Sequence, residues 1–184
     1  PMNSCDFGPG GPLRYYNFDD HAGDVTLEHF DDTVSHDVES GMIPMIQAAQ
    51  AAINRAGGEL SLFASPWSPP GWMKLPTQGP NGETLERSML RTAVPNGLDP
   101  EMQRPYANYF SRFISAYKKH GIPMWGVTVQ NEPEAAVGWE ACLYNASFMA
   151  SFVRDHLGPV LEQEQPGTKI LGFDHNKDHM VTWA

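Results

Sequence analysis

Apolar and polar positions fall into blocks along this chain, and the period changes from block to block. From Ser40 onward, Ile43, Ile46, Ala49 and Ile53 recur three or four residues apart, which predicts a helix with one apolar stripe. Ser40 is its expected cap and Gly57-Gly58 its stop. Residues 60–64 form a short apolar run that reads as a buried strand. It enters Ser65-Pro66-Trp67-Ser68-Pro69-Pro70-Gly71-Trp72, where three prolines remove ladder donors and forbid helix or central strand. A long loop is expected over about 71–98. Asp99-Pro100-Glu101 then opens a helix, with Asp as cap, Pro in the first turn and an acid at the positive dipole end. Tyr106, Tyr109, Phe110, Phe113, Ile114 and Tyr117 supply its stripe, and Gly121 and Pro123 end it. Residues 124–129 are apolar nearly throughout, as in a strand buried on both faces. Another helix follows over about 147–161, striped by Phe148, Phe152, Val153 and Leu157, and a strand over 169–173. Residues 1–39 read as irregular and polar, except that 2–7 suit the end of a strand.

Helix and short buried strand alternate three times, which is the pattern of a parallel α/β protein. The strand ends are polar or aromatic: Cys5-Asp6-Phe7, Ser65-Pro66-Trp67, Gln130-Asn131-Glu132 and Asp174-His175-Asn176. A parallel barrel gathers such ends on one rim and places its active site there. Eight strands need about 250 residues, so the 184 residues here are expected to form about half of a (β/α)8 TIM barrel. The alternative is a complete doubly wound domain. Against it, the glycines at 8–11 lack the Lys-Ser/Thr of a phosphate loop and do not open a helix.

Composition narrows the partners. The chain is 41% hydrophobic, enough for a sizeable core, and its formal net charge of -10 argues against nucleic acid or an anionic membrane as partner. No apolar run approaches the length of a membrane span, so an integral membrane protein is not expected. No basic-then-apolar leader follows Pro1. Cys5 and Cys142 are too few for a disulfide framework and read as free thiols, with a bridge as the alternative.

The chemistry centres on Asn131-Glu132-Pro133. A carboxylate closing a buried strand costs free energy unless it is paired or used, and a protonated carboxyl there can donate to a leaving oxygen. The plainer reading is a strand-end Glu pairing at the surface. Four tryptophans offer flat apolar faces of the kind on which sugars stack: Trp67 and Trp139 at or past strand ends, Trp125 inside a strand and so expected in the core, and Trp72 suited to either role. Asp174, Asn176 and Asp178 match the first positions of an EF-hand loop, but His179 stands where Gly is needed. His175 and His179 are four apart without the Glu of a zinc helix. No metal is therefore expected, and Asp174 and His175 read as polar groups lining the rim. Asn145-Ala146-Ser147 is a glycosylation sequon in which Ser147 also reads as a helix cap. His21, His29 and His36 read as solvated.

The blocks "SCDFGPGG", "LFASPWSPPGWMK", "YFSRFISAYKKHGIPMWGVTVQNEP" and "LGPVL…TKILGFDHNKD" together resemble the central part of glycoside hydrolase family 30, in its glucosylceramidase branch. The resemblance implies a (β/α)8 barrel with a β-sandwich domain, retaining chemistry and no cofactor. By position it implies that Glu132 is the general acid/base, that Asn131 binds the sugar 2-hydroxyl, and that Asp6 and Trp67 hold the sugar. Asp174 and His175 match a strand end on the same rim, and Trp139 falls where the family's loop varies. The family's nucleophile is a second Glu further along, which nothing in this chain matches. Residues 1–184 are thus expected to be a fragment of the catalytic barrel, without its C-terminal half and sandwich domain, and inactive alone. The expected substrate is a β-glucoside, glucosylceramide first, for a complete protein that is extracellular or lysosome-like. A β-1,6-glucanase or related glycan hydrolase, or a sugar-binding remnant, are the alternatives.

Overall fold

The parallel strands lie side by side in the order in which the chain makes them. The computed structural model describes Met2 and residues 16–78, 84–85, 89, 97–137 and 139–184. Helices α1 (Ser35–Glu39) and α2 (Met42–Arg55) precede strand β1 (Phe63–Ala64). A small antiparallel pair follows, β2 (Thr77–Gln78) and β3 (Thr84–Leu85). Next come α3 (Gln103–Lys119), β4 (Gly126–Thr128), α4 (Ala146–Phe152), α5 (Gly158–Glu164), β5 (Lys169–Leu171) and α6 (Met180–Trp183).

β1, β4 and β5 form one parallel sheet in that order. Ala64 stands opposite Val127, and Val127 opposite Ile170. Met2 extends the ladder on the far side of β1 through a parallel bridge to Pro66. Its N–H donates to the Ser65 carbonyl at 3.0 Å, and its own carbonyl accepts from Trp67 N at 3.3 Å. A doubly wound sheet reverses its strand order at a switch point. The described strands run Met2, β1, β4, β5 without reversal, as successive strands of a barrel do.

The helical side of the sheet holds the core. Tyr106, Tyr109, Phe110, Phe113, Ile114 and Tyr117 of α3 are all buried, as their spacing predicts. Asp99 starts this helix by accepting from Glu101 N at 3.1 Å, and Gly121, at φ 76°, turns the chain out of it. The segment before α1 packs over the same stripe, with Phe18 5.5 Å from Phe113 and Phe30 5.0 Å from Tyr109.

Several expectations need correction. The polar segment before residue 40 contains α1, entered through an Asp31 side chain that accepts from Ser35 N at 2.7 Å. Ser40 closes α1 rather than capping α2; Gly41, at φ 87°, makes the turn between them, a conformation that costs glycine least. Along α2 only part of the stripe is covered: Ile43 is buried and Ile46 packs on the core, while Ala49 is exposed. The long loop contains the β2–β3 pair. Asn145, not Ser147, caps α4, its Oδ1 accepting from Phe148 N at 2.8 Å. The helix beyond it is not uniform. Pro159 has no N–H for the Asp155 carbonyl, and the turn widens to a π-turn over Val153–Leu157 between α4 and α5. Trp125 is not core: it stands just before β4 at 47% exposure and lines one groove with the also exposed Phe63. Cys142 is a buried free thiol, and Cys5 lies outside the described residues.

Candidate active site

The carboxyl ends of the three strands are tied to one another by hydrogen bonds beyond the ladder. Asn131 N donates to the Pro66 carbonyl at 2.8 Å, joining the end of β4 to that of β1. Asn131 also bridges in parallel to Asp174, and Glu132 N donates to the Asp174 carbonyl at 2.8 Å, joining β4 to β5. Side chains repeat these links. Thr128 Oγ1 donates to Ser65 Oγ at 2.7 Å, and Ser65 Oγ donates to Asp174 Oδ2 at 2.6 Å. The buried Gln130 amide donates to the carbonyls of Trp67 at 2.7 Å and Asn131 at 2.9 Å. Trp67, Asn131, Glu132, Asp174 and His175 are thereby gathered at one end of the sheet, each half-buried. Asp6 lies outside the described residues. Trp139 stands 48% exposed on the loop after β4, whose base is closed by Tyr144 N donating to the Pro133 carbonyl at 2.8 Å.

Glu132 adopts φ 46°. The left-handed region costs an L-residue about 1–2 kcal/mol, and such residues concentrate where function requires a fixed side-chain direction. Pro133 follows at once, and Ala135 N donates back to the Glu132 carbonyl at 2.9 Å, closing a tight turn. The chain therefore changes direction at Glu132 rather than continuing the strand. The motif itself contains the cause: proline forbids further ladder, and the amide before it is already bonded to Asp174.

Beneath the loop is a buried polar layer that the sequence did not disclose. Lys74 Nζ donates to the carbonyls of Met89 at 3.1 Å and Ala141 at 2.6 Å, and burial lowers its pKa to about 8. Cys142 is pushed up to about 11 by burial. The Glu140 carboxyl is also raised by burial, and neither of its oxygens has a hydrogen-bond partner among the described residues. Lys74 is flanked by apolar residues in "GWMKL", which was the available signal that its ammonium has to find carbonyls inside. Gln130, Ser65 and Thr128 join the site only through strand register, for which the sequence gives no signal.

Two of the residues weighed as metal ligands are engaged with protein groups. Asp174 takes the Ser65 hydroxyl, and His179 Nδ1 lies 2.8 Å from Glu134 Oε2. His175 packs against Phe173 with ring centroids 5.5 Å apart. The histidines read as solvated are in contact as well: His21 stacks on His29 at 3.9 Å, His29 pairs with Asp24 at 3.1 Å, and His36 stacks on Tyr16 at 3.5 Å.

Residues 1–184 match the glycosyl hydrolase family 30 TIM-barrel domain along their whole length. The mouse lysosomal acid glucosylceramidase is 32% identical over 188 residues, covering 100% of this chain and 33% of that protein. An endo-1,6-beta-D-glucanase of Neurospora crassa is 31% identical over 166 residues, covering 89% of this chain and 31% of the relative. Among solved structures, SrfJ from Salmonella typhimurium superposes with a TM-score of 0.76 at 32% identity, covering 100% of this chain and 36% of that one. The chain thus spans about a third of the length of the curated relatives it matches.

Proposed function

The chain belongs to glycosyl hydrolase family 30 and is glucosylceramidase-like, a glycoside hydrolase by kinship; from that premise we propose that the complete protein is a retaining β-glycosidase in which Glu132 is the general acid/base. The observation that carries the reading is the Glu132 turn. A carboxylate in a left-handed conformation closes β4 at the end of the sheet where Trp67, Asn131 and Asp174 also stand.

In the proposed reaction the Glu132 carboxyl protonates the glycosidic oxygen as the bond to the anomeric carbon breaks. A second carboxylate, on a barrel strand beyond these residues, attacks that carbon from the other face and forms a glycosyl-enzyme. Glu132, now ionised, takes a proton from water, which displaces the enzyme carboxylate and releases the sugar. Asn131 serves the sugar 2-hydroxyl, and Trp67 offers an indole face to the ring. Asp174 and His175 line the rim, and Asp6, outside the described residues, and Trp139, on the loop after β4, are the further proposed sugar contacts. No cofactor enters this scheme.

The proposed substrate is a β-glucoside, with glucosylceramide first, in keeping with the name of the mouse glucosylceramidase relative. The same relative's name supports a lysosome-like setting for the complete protein, with an extracellular one as the alternative. Among the described residues no helix is long and apolar enough to cross a membrane. The second reading is hydrolysis of β-1,6-glucan, which the Neurospora relative favours.

The test is Glu132→Gln in the complete protein, assayed on paired β-glucosides. With a leaving group that needs protonation, the glycosylation rate is expected to fall by about 10²–10⁴-fold. With a leaving group of low pKa, it should fall far less. Equal losses on both would remove Glu132 from the acid role. Parallel assays on glucosylceramide and on a β-1,6-linked glucan separate the two substrate readings.

A further inference from the structure

The chain tethers the turn that carries Glu132 by a carboxylate two residues further on. Glu134 reaches across to the segment after β5 and holds it at two points. Its Oε2 lies 2.8 Å from His179 Nδ1, and its Oε1 accepts from Trp183 Nε1 at 2.9 Å. Trp183 packs on Phe173 with centroids 4.9 Å apart, and Phe173 on His175 at 5.5 Å. The segment from Asp174 to Trp183 thus folds back from the strand end and is fastened to the Glu132 loop. Among the described residues, the side-chain bonds that grip 132–135 are those of Glu134.

We propose that Glu134, through His179 and Trp183, is a positioning residue that holds Glu132 in its left-handed turn for proton transfer. This rests on the reading of Glu132 as general acid/base. A non-glycine residue at φ 46° persists only where its surroundings over-determine it. The backbone bonds from Glu132 N to Asp174 and from Ala135 N to Glu132 fix the turn locally. Glu134 fixes it to the next strand's loop, so that the carboxyl of Glu132 and the rim group Asp174 keep one relative position.

The clamp is also tuned to acid-to-neutral pH. Hydrogen bonds from Trp183 and His179 hold the Glu134 carboxyl below the usual glutamate range, and Glu134, with Asp178 adding to it, raises His179. The other titratable or charged groups of the two facing segments, among the described residues, are Glu132, Asp174, His175 and Lys177; His175 adds to the lowering of Glu134. A raised histidine favours the clamped state fully below its ordinary value and loses that contribution as pH rises through the raised one. A lowered carboxylate favours it above its ordinary value and loses that contribution as pH falls through the lowered one. Both are satisfied from about pH 4.5 to 6.5, the ordinary values of the two groups.

The experiment compares Glu134→Ala, Glu134→Gln and Glu132→Gln in the complete protein on the same pair of β-glucosides. Because Glu134 acts through the acid, Glu134→Ala should lower kcat/KM, which reports glycosylation, about tenfold on the substrate that needs protonation, a fraction of the 10²–10⁴-fold general acid effect. On the activated substrate kcat/KM should be spared, while deglycosylation, where Glu132 is the base, should slow alike for both. Glu134→Gln keeps an oxygen for Trp183 and should recover part of the loss, while His179, followed by NMR titration, should return toward its ordinary pKa. Equal losses of kcat/KM on both substrates, or no loss, would overturn the positioning role. If Glu132→Gln shows no leaving-group dependence, the reading of Glu132 itself fails and the positioning role falls with it. Loss in Glu132→Gln without loss in Glu134→Ala overturns the positioning role alone.

Discussion

Asp37 has no exposed surface, and its carboxylate accepts from the hydroxyls of Tyr117 and Tyr16, the latter at 3.0 Å. His36 lies against the same carboxylate, its Nδ1 3.3 Å from Oδ1. This links α1 to α3 across 80 positions of sequence. Burial and the adjacent carboxylate together push the Tyr117 phenol far above its ordinary range, so it remains a donor at any working pH. An unsatisfied buried polar group costs about 1–3 kcal/mol. Asp37→Ala leaves the Tyr117 hydroxyl only the Met42 sulfur, a weak acceptor 3.4 Å away, and should cost about 3 kcal/mol. Tyr117→Phe in the same background should cost little more, because the hydroxyl has already lost its carboxylate acceptor. A thermal-melt double-mutant cycle measures this; additive losses would show that the two groups are not coupled. The acids before residue 40 read as a solvated run because nothing in their spacing marks Asp37 as the one that turns inward.

Between α4 and α5, two opposing effects meet at Gly158. Replacing a helical glycine with alanine ordinarily gains about 1 kcal/mol. Here the new Cβ would lie 2.7 Å from the Val153 carbonyl oxygen, a backbone atom that cannot step aside cheaply. Overpacking of this kind costs about 1–3 kcal/mol, so Gly158→Ala should destabilise on balance. Equilibrium denaturation reads the sign directly, and a gain in stability would mean that the π-turn relaxes to α-helix without penalty. Elements of this length show what a sequence discloses. α3 was legible because an aromatic stripe recurs over its 17 residues between a strong cap and a glycine stop. The three parallel strands were legible as short apolar runs between helices, each followed by polar or aromatic residues. By contrast, β2 and β3 have two residues each and α1 has five, too few for any period to show. Trp125 was misjudged because an apolar run does not say which of its residues meets a neighbouring element. The Thr128–Ser65–Asp174 relay and the Glu134 clamp join residues 45 to 109 positions apart, and only the fold supplies those pairings.

At the scale of the whole molecule, the described surface carries large exposed apolar side chains. Phe63 is 56% exposed and Trp125 47%, and they line one groove with Lys169, Leu171 and Phe173. Met45 on α2 is 66% exposed. β5 is an edge strand among the described residues, with a free ladder side. A closed barrel has no such edges, and its strands bury both faces. Large apolar patches beside an open ladder lead to association, and the net charge of -10 opposes it only through screened repulsion. Residues 1–184 on their own are therefore expected to self-associate at moderate ionic strength and to bind an apolar dye. They should show no turnover of a fluorogenic β-glucoside, because retaining chemistry needs two carboxyl groups about 5–5.5 Å apart and the reading assigns only Glu132 to that pair. Adding the polypeptide that completes the barrel in the full-length relatives should suppress both association and dye binding and restore hydrolysis. Light scattering, dye fluorescence and the glucoside assay on the same samples decide it. A monodisperse 184-residue monomer that hydrolyses the glucoside, and loses activity on Asp174→Asn, would place the nucleophile within these residues and the missing carboxylate at Asp174.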